Sequence, residues 1–413
     1  MRAATCTCQE LLSLGCVEWA KGRICMIIYY AFGCKPINAA CNFDNYLVLK
    51  HALAFYGNAQ IAPRVVRFVQ RSERRVERRP LRRDRKMKDL TTNYLGLALK
   101  NPIVAGSCGL TGSASKIVEL AEAGVGAVVV KSLFEEQIEA ELQQNLDDYQ
   151  TDYPDAYDYV KQYTRDSAVT DYLEMIREVK KQIDIPVIAS LNCVTAAEWT
   201  TYAGKFEKAG ADGLEINISL LPSNPKKECD QYEQVYFDVL NKVNKVVSIP
   251  IALKMSSYSS SLASLISRLH WTGKVRGFVL FNRYYQPDIN IEKMEMTSAG
   301  VFSHPAEISL PLRWIALLSG LIESDFAAST GVHDGAGAVK MLLAGARAVQ
   351  VVSTLYENGV EQVEKILADL EAWMERHSLT AIHEFRGRLA YRFEDDQSAF
   401  ERIQFMKHYS GIS

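Results

Sequence analysis

Five short, mostly apolar runs in this chain each give way to a single lysine or asparagine. They are Val128–Val130 before Lys131, Ile188–Leu191 before Asn192, Leu214–Ile216 before Asn217, Ile251–Leu253 before Lys254, and Val279–Phe281 before Asn282. Runs of this length, bounded by polar residues and separated by helix-period stretches, read as strands buried on both faces. Strands alternating with helices build a parallel sheet, and enough of them close it into a barrel. In a (β/α)8 barrel all strand ends converge on one mouth, where chemistry is done. Two lysines and three asparagines there offer many hydrogen bonds and up to two positive charges. That ring suits a planar, polar, anionic heterocycle.

The next two strand ends are small instead. Phe326–Ala328 leads to Ser329, Thr330 and Gly331, with a helix from about Gly335. Val349–Val352 leads to Ser353 and Thr354, then Asn358, Gly359 and another helix. Small residues leave backbone N–H groups bare near helix starts, which is how the last two loops of such barrels hold a phosphate.

The 413 residues suffice for one barrel plus an extension. A net charge of −2 gives no reason to expect nucleic acid or a membrane surface as main partner. The longest apolar stretch, near Ile24–Phe32, is too short to span a bilayer and carries tyrosines. Six of nine cysteines crowd the first tenth of the chain: Cys6, Cys8, Cys16, Cys25, Cys34 and Cys41. They form no C-x-x-C pair, so no metal site is expected. Cys108, Cys193 and Cys229 read as thiols of a reducing compartment, and a cytoplasmic location is expected.

Composition changes at Met87. Before it lies an arginine-dense run that includes Arg67, Arg71, Arg74, Arg75, Arg78, Arg79, Arg82, Arg83 and Arg85. It reads as a targeting segment (against which Glu73, Glu77 and Asp84 argue), as a nucleic-acid or lipid arm, or as an extension upstream of the real start. The last is the reading adopted: residues 1–86 an extension of doubtful order, 87–413 a barrel with a C-terminal tail. From Met87 the pattern gives a hairpin over 90–99 closing the bottom, then eight strand–helix units. An acidic, tyrosine-rich loop over 135–164 follows strand two. Thr195 and Glu198 form a capping box. A second long excursion covers 283–306, and the tail from Leu379 packs outside the barrel.

A strand-end lysine such as Lys254 admits three readings: a surface ion pair, a Schiff-base amine, or a cation beside the pyrimidine edge of a flavin. The small strand ends favour a phosphorylated cofactor, and both flavin mononucleotide (FMN) and a sugar phosphate fit them. The asparagines favour the flavin, because an amide both donates and accepts.

From Met87 to about Arg376 the chain resembles the dihydroorotate dehydrogenases, FMN-binding barrels of pyrimidine synthesis. Asn101-Pro102-Ile103-Val104-Ala105-Gly106-Ser107 is similar to their first strand and flavin-contacting turn, and Val130-Lys131-Ser132 to their second strand end. Glu215-Ile216-Asn217-Ile218-Ser219 resembles the start of their catalytic segment, and Leu253-Lys254 their flavin-side lysine. Asn282, Gly300, Ser329-Thr330-Gly331-Val332 and Ser353-Thr354 fall where the family has a substrate asparagine, a glycine loop and the phosphate cradle. The resemblance implies flavin contacts from Ala105, Gly106, Ser107, Lys131, Ser132, Asn192, Lys254, Gly300, Thr330, Gly331, Ser353 and Thr354. It implies substrate contacts from Lys131, Asn217, Asn224 and Asn282, with Lys131, Asn217, Lys254 and Ser219 taking part in the chemistry.

Two departures stand out. The family's catalytic base is a Cys or Ser directly after the Asn-x-Ser; here that position is Leu220, with Leu221 inserted before Pro222. The family's asparagine-rich substrate loop after strand two has no counterpart in the acidic, aromatic stretch here. Ser219, Ser223, Cys193 and Tyr258 are candidate substitute bases, and His304 and His333 fall in mouth-side loops. The expectation is an FMN-dependent oxidoreductase of the dihydroorotate dehydrogenase type, acting on a small molecule, without nucleic acid or a membrane span, with a homodimer compatible. Alternatives are a flavin reductase for another pyrimidine-like ring, a Schiff-base lyase using Lys131 or Lys254, and a flavin-binding protein without turnover. The electron acceptor stays open.

Overall fold

The computed structural model describes residues 88–134, 169–192, 196–284 and 286–392. The N-terminal extension, the loop over 135–164, Cys193 and the Thr195–Glu198 capping pair lie outside the described residues or side chains. The described residues belong to one compact unit, Lys86–Ser413.

The unit opens with an antiparallel hairpin, β1 (Thr92–Tyr94) and β2 (Leu97–Leu99). Leu95 and Gly96 turn it with positive φ (58° and 80°), the backbone of a two-residue turn whose twist matches its strands. The barrel strands follow: β3 (Ile103–Ala105), β4 (Ala127–Val129), then a two-residue β5 (Leu133–Phe134) beside β6 (Val187–Asn192), β7 (Gly213–Asn217), β8 (Ile251–Lys254) and β9 (Gly277–Leu280). An antiparallel hairpin, β10 (Pro287–Asn290) and β11 (Glu295–Ser298), interrupts the series before β12 (Asp325–Ala328) and β13 (Ala348–Val351). The parallel order β4-β3-β13-β12-β9-β8-β7-β6 closes through a β4–β6 pairing, giving the expected eight-stranded barrel.

The helices are α1 (Ala114–Glu122), α2 (169–182), α3 (Ala196–Ala209), α4 (Cys229–Val243), α5 (Leu262–Trp271), α6 (Ser309–Leu318), α7 (Gly335–Ala344), the short α8 (Ser353–Asn358) and α9 (Gln362–Arg376). Every residue of the eight barrel strands is buried. Helices cover the outside with apolar stripes. On α5 the stripe is Leu262, Leu265, Ile266 and Leu269, the one-face spacing of a helix against a core. Asp334 starts α7 by accepting a hydrogen bond from the Gly337 N–H.

Two ends of the barrel are built differently. At the bottom, Tyr94, Leu95 and Leu99 of the hairpin pack on the inward residues Val104, Ala127, Val129, Ile188, Ala252, Val279, Ala327 and Ala348. The Leu95 N–H donates to Asp325 Oδ2 at 2.7 Å, and Arg347 Nε pairs with Asp325 Oδ1 at 2.7 Å. The hairpin thus plugs this end of the barrel. The described part of the tail packs outside: Leu379, Ile382 and Phe385 bury against Val339, Leu342, Leu370 and Met374. Among the described residues no helix is long and apolar enough to cross a membrane.

Three details differ from the sequence reading. Strand β4 stops at Val129, so Lys131 stands two residues beyond the ladder. The excursion over 283–306 contains a hairpin, β10–β11, whose residues are almost all exposed. The segment after Val352 winds at once into α8.

Candidate active site

Three buried polar side chains meet inside the mouth. Lys254 ends β8, Glu215 lies in β7, and Gln350 lies in β13. Lys254 Nζ is 3.4 Å from Glu215 Oε1 and 3.2 Å from Gln350 Oε1. Gln350 Nε2 closes the ring by donating to Glu215 Oε2 at 2.5 Å. Lys254, Glu215 and Gln350 are only 8%, 1% and 3% exposed, so either charge alone would be costly to hold there. The ammonium has three donors, and these two bonds leave one for a ligand.

The register sets Asn217 directly beside Lys254. Residues two apart on a strand share a face, so Glu215 and Asn217 point the same way. Asn282, just past β9, donates through Nδ2 to Asn217 Oδ1 (3.1 Å) and Ser219 Oγ (3.2 Å). Its backbone N–H is fixed by Met255 O at 2.9 Å. Two residues on, Tyr284 Oη donates to Leu220 O at 3.1 Å. Tyr258 packs edge-on against Tyr284, ring centroids 5.3 Å apart. Burial pushes the Tyr284 phenol above its ordinary value; a hydrogen bond from Ser256 pulls it back, and Tyr258 adds to the rise.

On the opposite side, hydroxyls tie β6 to the segments that follow β3 and β4. Ser107 Oγ is 3.0 Å from Ser132 Oγ, which is 2.7 Å from Ser190 Oγ. Ser132 N–H also donates to Ser107 Oγ at 2.8 Å. Lys131 is exposed, and its backbone N–H donates to Thr111 O at 3.0 Å. Asn192 is buried at the end of β6.

The small-residue loops form a third group. Thr330 and Gly331 both have positive φ, 81° and 79°. A Cβ on Gly331 would stand 2.2 Å from the Ile308 backbone nitrogen, so only glycine fits. Ser303 is the hub: its Oγ is 3.1 Å from both Ser353 Oγ and His333 Nε2, and its N–H donates to Ser353 Oγ at 2.9 Å. His333 Nδ1 faces Glu357 Oε2 at 3.3 Å. The other two hydroxyls serve the backbone, Thr330 bonding Phe281 O and Thr354 bonding His333 O. Gly300 is held through its carbonyl by Arg283 Nη1 at 3.2 Å, and Arg283 also pairs with Glu307 at 3.0 Å. Burial tends to raise the Glu307 carboxyl, yet Arg283 and the His304 N–H hold it below its ordinary value.

Of the sequence-derived residues, the structure thus joins Lys254, Asn217, Asn282 and Ser219 into linked polar groups. It joins Ser107 to Ser132 and Gly331 to Ser353 through Ser303. Asn224 stands apart in an exposed turn, its N–H bonded to Tyr232 Oη at 3.0 Å and its Oδ1 to the Lys226 N–H at 2.9 Å. Glu215, Gln350, Ser303, Arg283 and Tyr284 were missed as site residues. A signal existed for two of them: Glu215 interrupts the run Leu214–Ile216, and Gln350 stands inside the buried run Val349–Val352. A polar residue within a fully buried strand has to have a partner.

The fold and the mouth define a class: a closed (β/α)8 barrel with its bottom plugged and an amide–ammonium–carboxylate cluster at the strand ends. Residues 89–374 match the family model described as dihydroorotate dehydrogenase. The chain belongs to the dihydroorotate dehydrogenase family, a family of oxidoreductases. It is 24% identical over 305 residues to the dihydroorotate dehydrogenase B (NAD(+)) catalytic subunit of Thermoplasma acidophilum, covering 73% of this chain and 99% of that one. The corresponding subunit of Methanocaldococcus jannaschii is 26% identical over 300 residues, covering 70% and 95%. The chloroplastic dihydropyrimidine dehydrogenase (NADP(+)) of Arabidopsis thaliana is 23% identical over 339 residues, covering 72% and 76%.

Proposed function

We propose that this chain is an FMN-dependent oxidoreductase acting on a dihydroorotate-like ring, in the chemistry of pyrimidine synthesis. The observation that carries the reading is Lys254, buried, held by Glu215 and Gln350, and set beside Asn217. A cation fixed in that way stabilises charge developing on a ring without having to reorganise. The donor set fits FMN. The Ser303–Ser353 hydroxyls and the close turn at Gly331 suit its phosphate. Ala105, Gly106, Ser107, Ser132 and Asn192 border the opposite strand ends, and Lys254 suits its pyrimidine edge. Bound there, FMN would supply the two-electron chemistry.

This chain's own residues bind and orient. Asn217 and Asn282, cross-linked to each other, present amides to a ring that both donates and accepts. Lys131 supplies an exposed positive charge for an anionic substituent. Arg283 clamps the Gly300 loop over the same mouth. A second reading, reduction of another unsaturated pyrimidine ring, is favoured by the likeness to the Arabidopsis dihydropyrimidine dehydrogenase. A Schiff-base role for Lys254 would require it to give up both of its buried contacts.

The test is direct. The protein should purify yellow with noncovalent flavin, and Lys254→Ala should weaken flavin retention or slow its reduction. A colourless protein that cannot be reconstituted with FMN would sink this reading.

A further inference from the structure

Leu220 occupies the position from which the family's base acts, and its half-buried side chain packs on the core. It cannot carry a proton. Yet any oxidation or reduction of a dihydropyrimidine ring has to move a proton at the ring carbon beside the carbonyl. Some other group has to stand there.

The segment after β9 runs alongside the segment after β7 and is bonded to it at two successive steps. Asn282 meets Asn217 and Ser219; Tyr284 meets Leu220. The Tyr284 hydroxyl therefore reaches the Leu220 carbonyl, on the segment that carries Asn217 and Ser219, the partners of Asn282. Of the candidates read from the sequence, Ser219 Oγ is held by the Asn282 amide, Ser223 and Tyr258 are exposed, and Cys193 lies outside the described residues. His333 lies between Ser303 and Glu357 on the phosphate side. Cys229 is exposed, 3.7 Å from Ser260.

The geometry points to Tyr284 as the proton-transfer residue of this mouth, its phenol standing in for the side chain that position 220 lacks. This inference rests on the oxidoreductase reading above. The step is a proton transfer alone. In one direction the phenolic O–H, turned from the Leu220 carbonyl toward the ring, breaks and a C–H bond forms at the ring carbon beside the carbonyl; the phenolate then regains a proton from water. In the other direction the phenolate takes that carbon's proton and leaves an enolate. Partial burial and the neighbouring Tyr258 favour the protonated phenol, which suits the delivering direction. Among the described residues, the titratable groups facing Tyr284 are Tyr258, from the segment after β8, and Tyr236, from α4.

Because the step needs no electrons, it can be read without turnover. The full-length protein as purified is incubated in heavy water with dihydroorotate or dihydrouracil, and loss of the ring proton beside the carbonyl is followed by NMR. The unmodified protein should exchange that proton. Tyr284→Phe should slow exchange by ~10²-fold or more while orotate binding, read from its perturbation of the flavin spectrum, persists. Fluorotyrosine at position 284 keeps the ring and its hydrogen bonds and should move the onset of exchange to lower pH. The proposal is overturned by any of four results: no exchange in the unmodified protein, wild-type exchange in Tyr284→Phe, an unmoved pH onset with fluorotyrosine, or a Phe variant that loses exchange only because it loses orotate. The flavin absorbance of the same samples reports separately on the cofactor. A colourless protein whose exchange depends on Tyr284 would refute the flavin and keep the tyrosine.

Discussion

Glu215 is where the chemistry of single residues is most exposed to test. Its carboxylate accepts from both Lys254 and Gln350 in a place almost without water. Glu215→Gln keeps the shape and removes the charge, leaving the Lys254 ammonium buried without its counter-ion. Removing one partner of a buried pair typically costs ~3–5 kcal/mol, so the urea midpoint should fall clearly. Joining Lys254→Met to Glu215→Gln should recover part of the loss, since no lone charge then remains. Equal midpoints for wild type and Glu215→Gln would mean that the pair contributes nothing. This residue also marks a limit of sequence reading. Lysine and asparagine at strand ends were legible because they end a run. Glu215 lies inside one, and its role depends on Gln350, 135 positions away, whose proximity only barrel closure creates. Tyr284 was hidden for the same reason: nothing local ties it to Leu220.

At the scale of elements, the two tight turns ask for different things. Gly96 turns the bottom hairpin at φ 80° with nothing within 4 Å of where a Cβ would be. Gly331 has nearly the same φ, 79°, but faces the Ile308 backbone at 2.2 Å. Alanine at position 96 should therefore cost only the conformational penalty, ~1–2 kcal/mol. Alanine at position 331 has to move the chain around Ile308 as well, and with it the Ser303–Ser353 hub. Gly331→Ala should lose flavin while keeping its far-ultraviolet circular dichroism; Gly96→Ala should keep both. If Gly331→Ala retains flavin as tightly as wild type, the phosphate does not sit at that turn. The elements themselves were largely legible. Buried strands bounded by polar ends, and helices with one apolar stripe such as α5, follow from local pattern. The hairpin β10–β11 was not: its exposed residues, Ile289 and Met296 among them, follow no inside–outside alternation from which to infer pairing. The helix α8 is six residues long, too short to establish a period.

The whole molecule raises the question of what the barrel needs from the first 86 residues. Every described element of the barrel, including the plug at its bottom, begins after Met87, and the family match begins at residue 89. The start of the compact unit is also tied down. Lys88 Nζ bonds Leu379 O and Glu375 Oε2, both at 2.8 Å. The Asp89 N–H donates to Thr380 O at 2.8 Å, and the Ile382 N–H returns to Asp89 O at 3.0 Å. The entering chain is thus clamped to the tail that packs on α7 and α9, and the first strand has an anchor of its own. We therefore propose that residues 1–86 are separable from the FMN-binding barrel. A chain starting at Met87 should express as a folded protein, melt within a few degrees of the full-length chain, and keep flavin in the same stoichiometry. Removing Lys88 and Asp89 as well should lower the melting temperature, because the clamp to Leu379–Ile382 is then lost. If the chain from Met87 is insoluble or flavin-free while the full-length protein is neither, the extension is structural and the boundary at Met87 is wrong.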